Sequence, residues 1–285
     1  MIEARILPAL HARLAAALAP PTVPLVPLVA DGRRVGELTE ARARRLAAFR
    51  DVFAFDGSGL TFVPALADVG SRSRAMEDVA RTLAAEGALT AWRGEDYDAV
   101  AFRIERAAAR YFGLRTSAVH VNGLVDAGGV AMWVARRSAQ KAIDPGMLDN
   151  LVGGGIAAGT GVAETLVKEA WEEAGIDAAL ARTARSAGTL HVRRVQPDGL
   201  QHETIHVHDL WLAPDFVPAN QDGEAVEHRL VPLDAMAALL ANADGPDVMT
   251  ADATLVAVDA LLRLGAIDAE EALYPWLSDL CGRGR

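Results

Sequence analysis

Three glutamates stand at a spacing that places their carboxylates on one face of a predicted helix. They are Glu169, Glu172 and Glu173 in LVKEAWEEAGI, at positions i, i+3 and i+4. Negative charges held this close repel one another, and a hard divalent cation with oxygen ligands removes the repulsion. Because Mg²⁺ keeps water and substrate phosphates in its shell, the spacing predicts a Mg²⁺ site for a diphosphate, with Mn²⁺ as the alternative. A merely solvated helix face is the competing interpretation.

The elements around the glutamates must hold them in place. An apolar strand is predicted to end at Val152, and residues 153–155 and Gly159 are predicted to form tight turns, since glycine adopts conformations closed to other residues. The acidic helix is predicted over residues 162–174, with Gly175 as its end. Strand, glycine loop, acidic helix and glycine stop therefore follow one another in a single stretch.

This order of elements resembles the signature of the Nudix hydrolases. The signature is glycine, five residues, glutamate, seven residues, then Arg-Glu-apolar-any-Glu-Glu-any-Gly-apolar. The chain agrees in type at seven of the nine specified positions. The nine positions are Gly154, Thr160, Lys168, Glu169, Ala170, Glu172, Glu173, Gly175 and Ile176. In the family the three late glutamates bind the metal, and the resemblance assigns that role to Glu169, Glu172 and Glu173.

Two departures from the signature bear on activity. Thr160 stands where the family has its first glutamate, and Lys168 stands where it has arginine. Lysine offers a point charge, whereas the planar fork of arginine orients its partners. The departures keep open a second interpretation, in which the domain binds a ligand without hydrolysing it.

Outside the signature, the chain is similar to a narrower Nudix subgroup that carries an extra N-terminal domain and is related to the Nudix part of thiamine pyrophosphokinases. The similarity covers residues 25 to 265 and includes FRIERAAARYFGL, PGMLDNLVGGGIAAG and HDLWLAPDF. That subgroup acts on thiamine diphosphate and its oxidised analogues. The resemblance implies hydrolysis of such a diphosphate to the monophosphate and phosphate; a nucleoside diphosphate derivative is the alternative substrate.

The composition and the pattern of elements predict two domains. With 285 residues, 51% of them hydrophobic and 23% charged, the chain is typical of globular proteins with a buried core. We predict a small α+β module over residues 1–115, a Nudix domain over 116–268 and a C-terminal tail over 269–285. The resemblance implies an α+β fold class, with a Nudix α/β/α sandwich around a mixed sheet.

Local signals predict the elements of the first module. Ile6, Leu10 and Leu14 recur at helical spacing in the first helix. Turn residues at 31–32 and 56–59 indicate two hairpins. Thr39 is predicted to cap a second helix, and residues 71–86 to form a third that Gly87 ends. Near the C-terminus, a helix is predicted between Thr250 and Gly265.

Charge limits the partners. A net charge of -10 disfavours a nucleic-acid or anionic-membrane footprint, so a small anionic substrate must meet a metal or a local basic site. Arg136, Arg137 and Lys141 form such a cluster at a predicted strand end, with a solvated turn as the alternative. Gly154 and Gly155 are predicted to approach the substrate with their backbone.

Two further acids are candidates for the site. HETIH at residues 202–206 matches the H-E-x-x-H string of zinc proteases, but that site needs a helix, and the alternating TIHVHDLWL predicts a strand. Within a Nudix-like sheet, Glu203 would serve the substrate site. In QDGEAVEHR, predicted as a loop, the resemblance makes Glu224 the first choice for an additional catalytic carboxylate. The general base is left between Glu169 and Glu224.

Other expectations are less specific. Trp92, Trp133, Tyr111 and Phe112 are candidates for stacking on a heteroaromatic ring, with the core as the alternative. A single cysteine, Cys281, fits a reducing compartment, and we expect a cytoplasmic protein, with a mitochondrial transit peptide as the alternative for the Arg-rich start. Apolar groups in the tail ALYPWLSDLCGRGR would suit a homodimer contact.

Overall fold

The first part of the chain builds a four-stranded sheet. The computed structural model describes residues 6–267. Strand order in the first sheet is β2-β1-β4-β3, and β5 and β6 form a separate hairpin. The predicted hairpins at residues 31–32 and 56–59 are confirmed. The elements are α1 (Ile6–Ala17), β1 (Leu25–Ala30), β2 (Arg33–Thr39), α2 (Glu40–Leu46), β3 (Phe53–Phe55), β4 (Leu60–Phe62), α3 (Val69–Ala85), β5 (Asp96–Ala99) and β6 (Phe102–Glu105).

The helices of this part begin at capping side chains. Thr39 accepts a hydrogen bond from the Arg42 N–H, which confirms the predicted cap of α2. Helix α3 begins at Val69 rather than at the predicted Ser71. The reason is a reciprocal cap in which the Asp68 carboxylate accepts from the Ser71 N–H at 2.9 Å and the Asp68 N–H donates to the Ser71 hydroxyl at 3.4 Å.

The predicted first helix is confirmed, but it packs away from the first sheet. Leu10 and Leu14 of α1 are fully buried in the same hydrophobic cluster as Leu124 and Met132 of the second part of the chain. Burial of apolar side chains is the main force that docks a helix. The structure thus places residues 6–17 with the second part of the chain, and the division at residue 115 stays a prediction.

The second part forms a seven-stranded mixed sheet. Its main path is β11-β12-β7-β8-β13, while β10 pairs with β7 and β9 with β8. Strands β12 and β7 are parallel, and the other pairs are antiparallel. The elements are β7 (Arg115–Asp126), β8 (Val130–Arg137), β9 (Leu148–Asn150), β10 (Val152–Gly155), α4 (Val162–Ala174), α5 (Ala178–Ala181), β11 (Arg185–Gln196), β12 (Gly199–Leu212), β13 (Ala225–Pro232), α6 (Leu233–Leu240) and α7 (Ala251–Arg263).

Two separate hydrophobic clusters cover this sheet. Leu166 and Ala170 of α4 pack with Val119 and Val121 of β7 in one cluster. Residues of α1, α6 and α7 pack with Leu124 and strand β8 in the other. Helices therefore lie on both faces of a mixed sheet, and the predicted fold class, an α/β/α sandwich preceded by α+β elements, is confirmed.

The C-terminal helix is also confirmed. The Thr250 side chain accepts from the Ala253 N–H to begin α7, and Gly265, with φ 71°, follows its end. The predicted dimer contact in the tail lies outside the described residues. Within residues 6–267, none of the helices combines the length and the apolar character that crossing a bilayer requires.

Candidate active site

Helix α4 packs against the sheet through its apolar face. Leu166, Ala170 and Ala174 are buried against the sheet. The helix ends, as predicted, at Gly175 in the left-handed conformation with φ 65°. With the apolar face fixed, Glu169 is carried to the end of strand β10.

The three glycines before α4 lie in a strand, so the predicted tight turn is wrong for them. Residues 153–155 pair with β7, and none of the three has a positive φ. Gly159, with φ 78°, does take the turn conformation that was predicted. Position 154 has no room for a side chain, because a Cβ there would overlap the carboxylate of Glu169. The strand is glycine-rich because side chains of α4 and of neighbouring elements lie directly on its backbone.

The three glutamates contact different groups. The Gly153 N–H donates to the carboxylate of Glu173 at 2.7 Å. The side chain of Glu169 is only 12% exposed, whereas that of Glu172 is 32% exposed. Lys168 donates to both, at 3.2 Å to Glu169 and 2.7 Å to Glu172. Lysine at this position therefore pairs with two of the three carboxylates and supplies one positive charge between them.

Burial raises the pKa of two of these carboxylates. Desolvation raises the pKa of Glu169, although Lys168 opposes the shift. Desolvation, with the nearby charge of Asp149, raises the pKa of Glu173 well above its ordinary value. In residues 6–267, Glu173 has no basic side chain within ion-pair distance to offset this. A cation brought to Glu173 would therefore be favourable.

The donor chemistry fits a hard divalent ion. Carboxylate oxygens are the ligands that Mg²⁺ and Mn²⁺ take in proteins, and Glu173 is a partly buried carboxylate that lacks a cationic partner. Within the described residues, no group of three or more Asp, Glu, His or Cys side chains is already gathered as a metal cluster. Lys168 bonds one oxygen of Glu169 and one of Glu172, which leaves the other oxygen of each carboxylate for an ion.

Thr160, the other departure from the signature, makes local bonds. Its hydroxyl donates to the Ala157 carbonyl at 2.8 Å and lies 3.3 Å from the hydroxyl of Thr165. These contacts stabilise the loop that leads into α4.

The predicted basic cluster is divided between two places. Arg137 and Lys141 line the cavity beside the glutamates. Arg136 does not: its guanidinium donates to Glu227 at 2.8 Å and to Asp247. Successive side chains of a strand point to opposite faces, and β8 turns Arg137 inward and Arg136 outward. The assignment of Arg136 to substrate binding is therefore corrected, as is the loop position expected for Glu227, which lies in β13.

Arg137 is held by several groups. It donates to Asp149 at 2.7 Å and to the carbonyls of Ile143 and Asp144 at 3.0 and 3.2 Å. Its side chain is 15% exposed. These bonds keep its guanidinium at the cavity wall and place Asp149 beside Glu173.

Glu224 lies in the cavity wall between two cations. Lys141 donates to one carboxylate oxygen, and Arg93 donates to the other at 3.1 Å. Although burial opposes the shift, these two cations hold the pKa of Glu224 below its usual value. Glu224 is thus a fully ionised and poorly basic carboxylate in this arrangement.

HETIH lies on strand β12, as predicted. Ile205 and Val207 are fully buried, and His206 between them is partly exposed. His202 and His206 lie four residues apart on a strand, roughly 13 Å, which is too far for both imidazoles to bind one ion. Glu203 lines the cavity, where it accepts from the Thr116 hydroxyl at 3.1 Å.

A wall of the cavity comes from residues that sequence reasoning missed. Arg93, Tyr97, Arg106 and Arg110 all line it. The Arg106 guanidinium lies 5.5 Å from the centre of the Tyr97 ring, and a Cβ on Gly155 would overlap the Tyr97 hydroxyl. Burial raises the pKa of Tyr97 to about 12. The segment WRGEDYDAVAFRIERAAAR carries four arginines against four acidic residues, so its charge gave no signal of a basic wall.

The floor of the cavity is strand β7. Thr116, Ala118 and His120 alternate along it and all face the cavity. The Nδ1 of His120 lies 2.7 Å from the amide oxygen of Asn150, within hydrogen-bond distance. Of the aromatic candidates, Phe112 is core, and Tyr97 takes the cavity position instead.

The whole cavity measures about 350 Å³, and acidic groups predominate in its lining. Six cationic side chains face ten carboxylates, a formal balance of -4. The cations are Arg93, Arg106, Arg110, Arg137, Lys141 and Lys168, and the carboxylates are those of Glu95, Asp144, Asp149, Glu169, Glu172, Asp198, Glu203, Asp222, Glu224 and Asp252. A diphosphate would be repelled from this cavity unless a divalent cation entered with it.

Known proteins share both parts of the chain. A family model described as the NUDIX domain matches residues 114–252, and one described as a domain of unknown function, DUF4743, matches residues 20–116. Nudix hydrolase 20, chloroplastic, from Arabidopsis thaliana is 34% identical over 87% of this chain and 70% of its own length. Nudix hydrolase 24, chloroplastic, from the same plant is 36% identical over the same shares.

Part of the chain is also similar to a solved structure. The NUDIX domain of Shewanella oneidensis NrtR, complexed with ADP ribose, has a TM-score of 0.42 and 13% identity over 54% of this chain and 90% of that one. The sequence relatives decide the family, because their identity extends over most of both proteins. Together with the packing of the glutamate helix α4 against the glycine-rich strand β10, these relatives show that the chain belongs to the Nudix hydrolases, enzymes that hydrolyse phosphoric anhydride bonds.

Proposed function

We propose that this protein is a divalent-metal-dependent pyrophosphohydrolase whose substrate is a thiamine-type diphosphate, oxidised or intact. Water attacks one phosphorus, the bridging P–O bond breaks, and the products are the monophosphate and inorganic phosphate. Mg²⁺ is the metal we expect, and Mn²⁺ is the alternative. The proposal of a thiamine-type ring goes beyond membership of the family.

The observation that carries the proposal is the distribution of charge along the cavity floor. At the His120 end lie Glu169 and Glu172 of α4 and the cations Arg137 and Lys141, which suit a metal-bound diphosphate. At the Thr116 end lie Glu203 and, through Gln201, which donates to both at 2.9 and 2.7 Å, Asp252. Asp252 is paired with Arg194 at 3.3 Å, so Glu203 is the carboxylate there that favours a head group that is cationic or rich in amino groups. A thiamine-type compound combines a diphosphate with such a head group.

Each residue then has a defined task. Glu169, Glu172 and Glu173 would hold the divalent ion, which when bound supplies charge neutralisation and a lower pKa for the attacking water. Arg137 and Lys141 would orient the phosphates, and the backbone of residues 154–155 would leave room for them. Of the two candidate bases, Glu224 is the weaker proton acceptor, because Lys141 and Arg93 hold its pKa below its usual value.

One observation favours a second candidate function. The chain departs from the Nudix signature at Thr160 and Lys168, and a domain in which these two changes have removed the chemistry would bind a ligand without hydrolysing it. A nucleoside diphosphate derivative in place of the thiamine compound is the alternative substrate for the hydrolase itself.

A substrate panel tests these proposals. We would measure phosphate release from oxidised thiamine diphosphate, thiamine diphosphate, ADP-ribose and nucleoside triphosphates, with Mg²⁺, with Mn²⁺ and with a chelator. We expect turnover of the thiamine compounds that requires the metal. Turnover of nucleotides alone would keep the hydrolase and exclude the thiamine-type substrate. Tight ligand binding without phosphate release at any metal concentration would establish the binding module instead.

A further inference from the structure

Two cations from distant parts of the chain meet at one carboxylate in the cavity wall. Arg93 and Lys141 each bond a different oxygen of Glu224. Arg93 belongs to the part of the chain that the domain of unknown function matches, and Lys141 follows strand β8. Arg93 and Glu224 are 131 positions apart in sequence. The contact therefore joins the two matched regions across the cavity.

Each member of this group is anchored by its backbone, independently of the other two side chains. Glu105, which is 3% exposed, accepts from the N–H groups of Arg93 and Gly94 at 3.1 and 2.9 Å. The Lys141 N–H donates to the Ser138 carbonyl at 3.1 Å, and the Ser138 N–H donates to the Glu224 carbonyl at 2.8 Å. The backbone that carries the two cations would therefore stay in place if the carboxylate of Glu224 moved.

The geometry is that of an anion held by two donors, one on each oxygen. Lysine and arginine bind carboxylate and phosphate oxygens by the same charge-assisted hydrogen bonds. A phosphate group brings more negative charge and more acceptor oxygens than a carboxylate does. The side chain of Glu224 is 31% exposed, so it can turn towards solvent, whereas that of Lys141 is 11% exposed. Replacement of the carboxylate by a phosphate keeps both cations paired.

We propose that Arg93 and Lys141 form a subsite for one phosphate of the diphosphate, and that the carboxylate of Glu224 occupies this subsite until the phosphate displaces it. The region of unknown function thus supplies a cation that binds substrate. The inference rests on the proposed pyrophosphohydrolase function and adds to it a second source of phosphate ligands.

The test measures binding separately from hydrolysis. Methylenediphosphonate, which cannot be hydrolysed at its bridge, is titrated calorimetrically into the full-length protein with Mg²⁺. We expect Arg93→Ala to bind the probe about tenfold to a hundredfold more weakly, because one charge-assisted bond is lost. Glu224→Gln should bind it roughly tenfold more tightly, because the competing charge is removed. Arg44→Ala, an exposed arginine in an i,i+4 pair with Glu40, is the matched control and should bind as the wild type does.

The double variant separates direct binding from an indirect role. If Arg93 only orients Glu224, the Arg93→Ala substitution has no effect once Glu224→Gln is present. If Arg93 binds phosphate, the same weakening persists in the Glu224→Gln background. Unchanged affinity in Arg93→Ala, loss of the effect in the double variant, or a wild-type protein that fails to bind the probe would each overturn the subsite. Arg93→Gln, checked by thermal melting, replaces any Arg93→Ala protein that does not fold.

A parallel hydrolysis assay keeps the two proposals distinguishable. Probe binding that follows the expected pattern in a protein without turnover on the substrate panel would support the subsite and reject the pyrophosphohydrolase. Metal-dependent turnover with probe binding that is indifferent to Arg93 would do the reverse.

Discussion

Two clusters of charged side chains in this molecule differ in how many cations and carboxylates each contains. The β13 network, which consists of Arg136, Arg229, Glu227 and Asp247, pairs two cations with two carboxylates. The α4 cluster, which consists of Lys168, Glu169, Glu172 and Glu173, sets one cation against three carboxylates. Hydrogen bonds from the two arginines lower the pKa of Glu227 and of Asp247 to about 2. Burial instead raises the pKa of Glu169 and Glu173.

The difference shows how a ligand site can be told from a structural ion-pair network. In the β13 network each carboxylate has its cation within the fold, so nothing is gained by adding an ion. In the α4 cluster the excess negative charge is a cost that a divalent ion would remove. The four predictions that follow test this contrast.

The largest effect is expected at the carboxylate that the fold leaves without a cation. Glu173→Gln should lower turnover on the order of 10³-fold, because a metal ligand is lost. The free energy of unfolding should stay the same or rise by about 1 kcal/mol, because an unfavourable charge is removed. Steady-state kinetics and urea unfolding measure the two.

Glu164→Gln is the matched control for this substitution. Glu164 lies on the same helix, where it accepts from the Gly161 N–H at 3.1 Å, and glutamine keeps this cap. Its turnover should equal that of the wild type. Normal turnover in the Glu173→Gln protein would show that Glu173 is not a metal ligand. It would also contradict the contrast between the α4 cluster and the β13 network.

The second effect concerns the space that strand β10 leaves for Glu169. Gly154→Ala places a methyl group where that carboxylate lies, so we expect turnover to fall about 100-fold and stability by about 1–3 kcal/mol. Gly129→Ala, at a position where a Cβ meets nothing within 4 Å, should change neither. If Gly154→Ala is as active as Gly129→Ala, the position of Glu169 does not matter to catalysis.

The third prediction separates the neighbours Arg136 and Arg137. Either change to alanine should lower stability by about 1–3 kcal/mol, because each guanidinium makes several partly buried hydrogen bonds. Arg137→Ala should also lower kcat/KM about tenfold to a hundredfold, since it lines the cavity. Arg136→Ala should leave kcat/KM unchanged. Equal kinetic losses in the two variants would contradict the division of the basic cluster.

The smallest effect is the pH dependence of the β13 network. The pKa values of Glu227 and Asp247 fall from 4.5 and 3.8 to about 2 on folding. Their stabilisation is therefore complete above pH 4.5 and is lost as the pH falls towards 2. Because the side chains of Glu227 and Asp247 are both more than a third exposed, solvent screening limits the total stabilisation to about 1 kcal/mol.

Unfolding measured by urea at pH 5.5 and pH 3 tests this prediction. The Glu227→Gln/Asp247→Asn double variant should lose less stability than the wild type over that interval. An identical loss in both proteins would show that the network contributes nothing to acid sensitivity.

Much of the fold could be predicted because local patterns set it. The caps at Thr39 and Thr250, the helix end at Gly175 and the alternation in β12 each depend on residues a few positions apart. The first helix was predicted as a helix but not its packing partner, because an amphipathic pattern states that a face is buried and not against what. The same limit applied to residues 153–155. Their glycines indicated a turn, but they lie in a strand, and the nearby carboxylate of Glu169 explains why Gly154 carries no side chain.

What the amino-acid sequence determined by itself is the row of glutamates on α4 and the departures at Thr160 and Lys168, because helical periodicity alone aligns side chains three and four residues apart. Only the tertiary structure decided that Arg137 and not Arg136 faces the cavity, and that Arg93 meets Glu224 across 131 positions. Side chains that far apart are brought together by the packing of whole elements, and no local pattern records which of them will share a cavity.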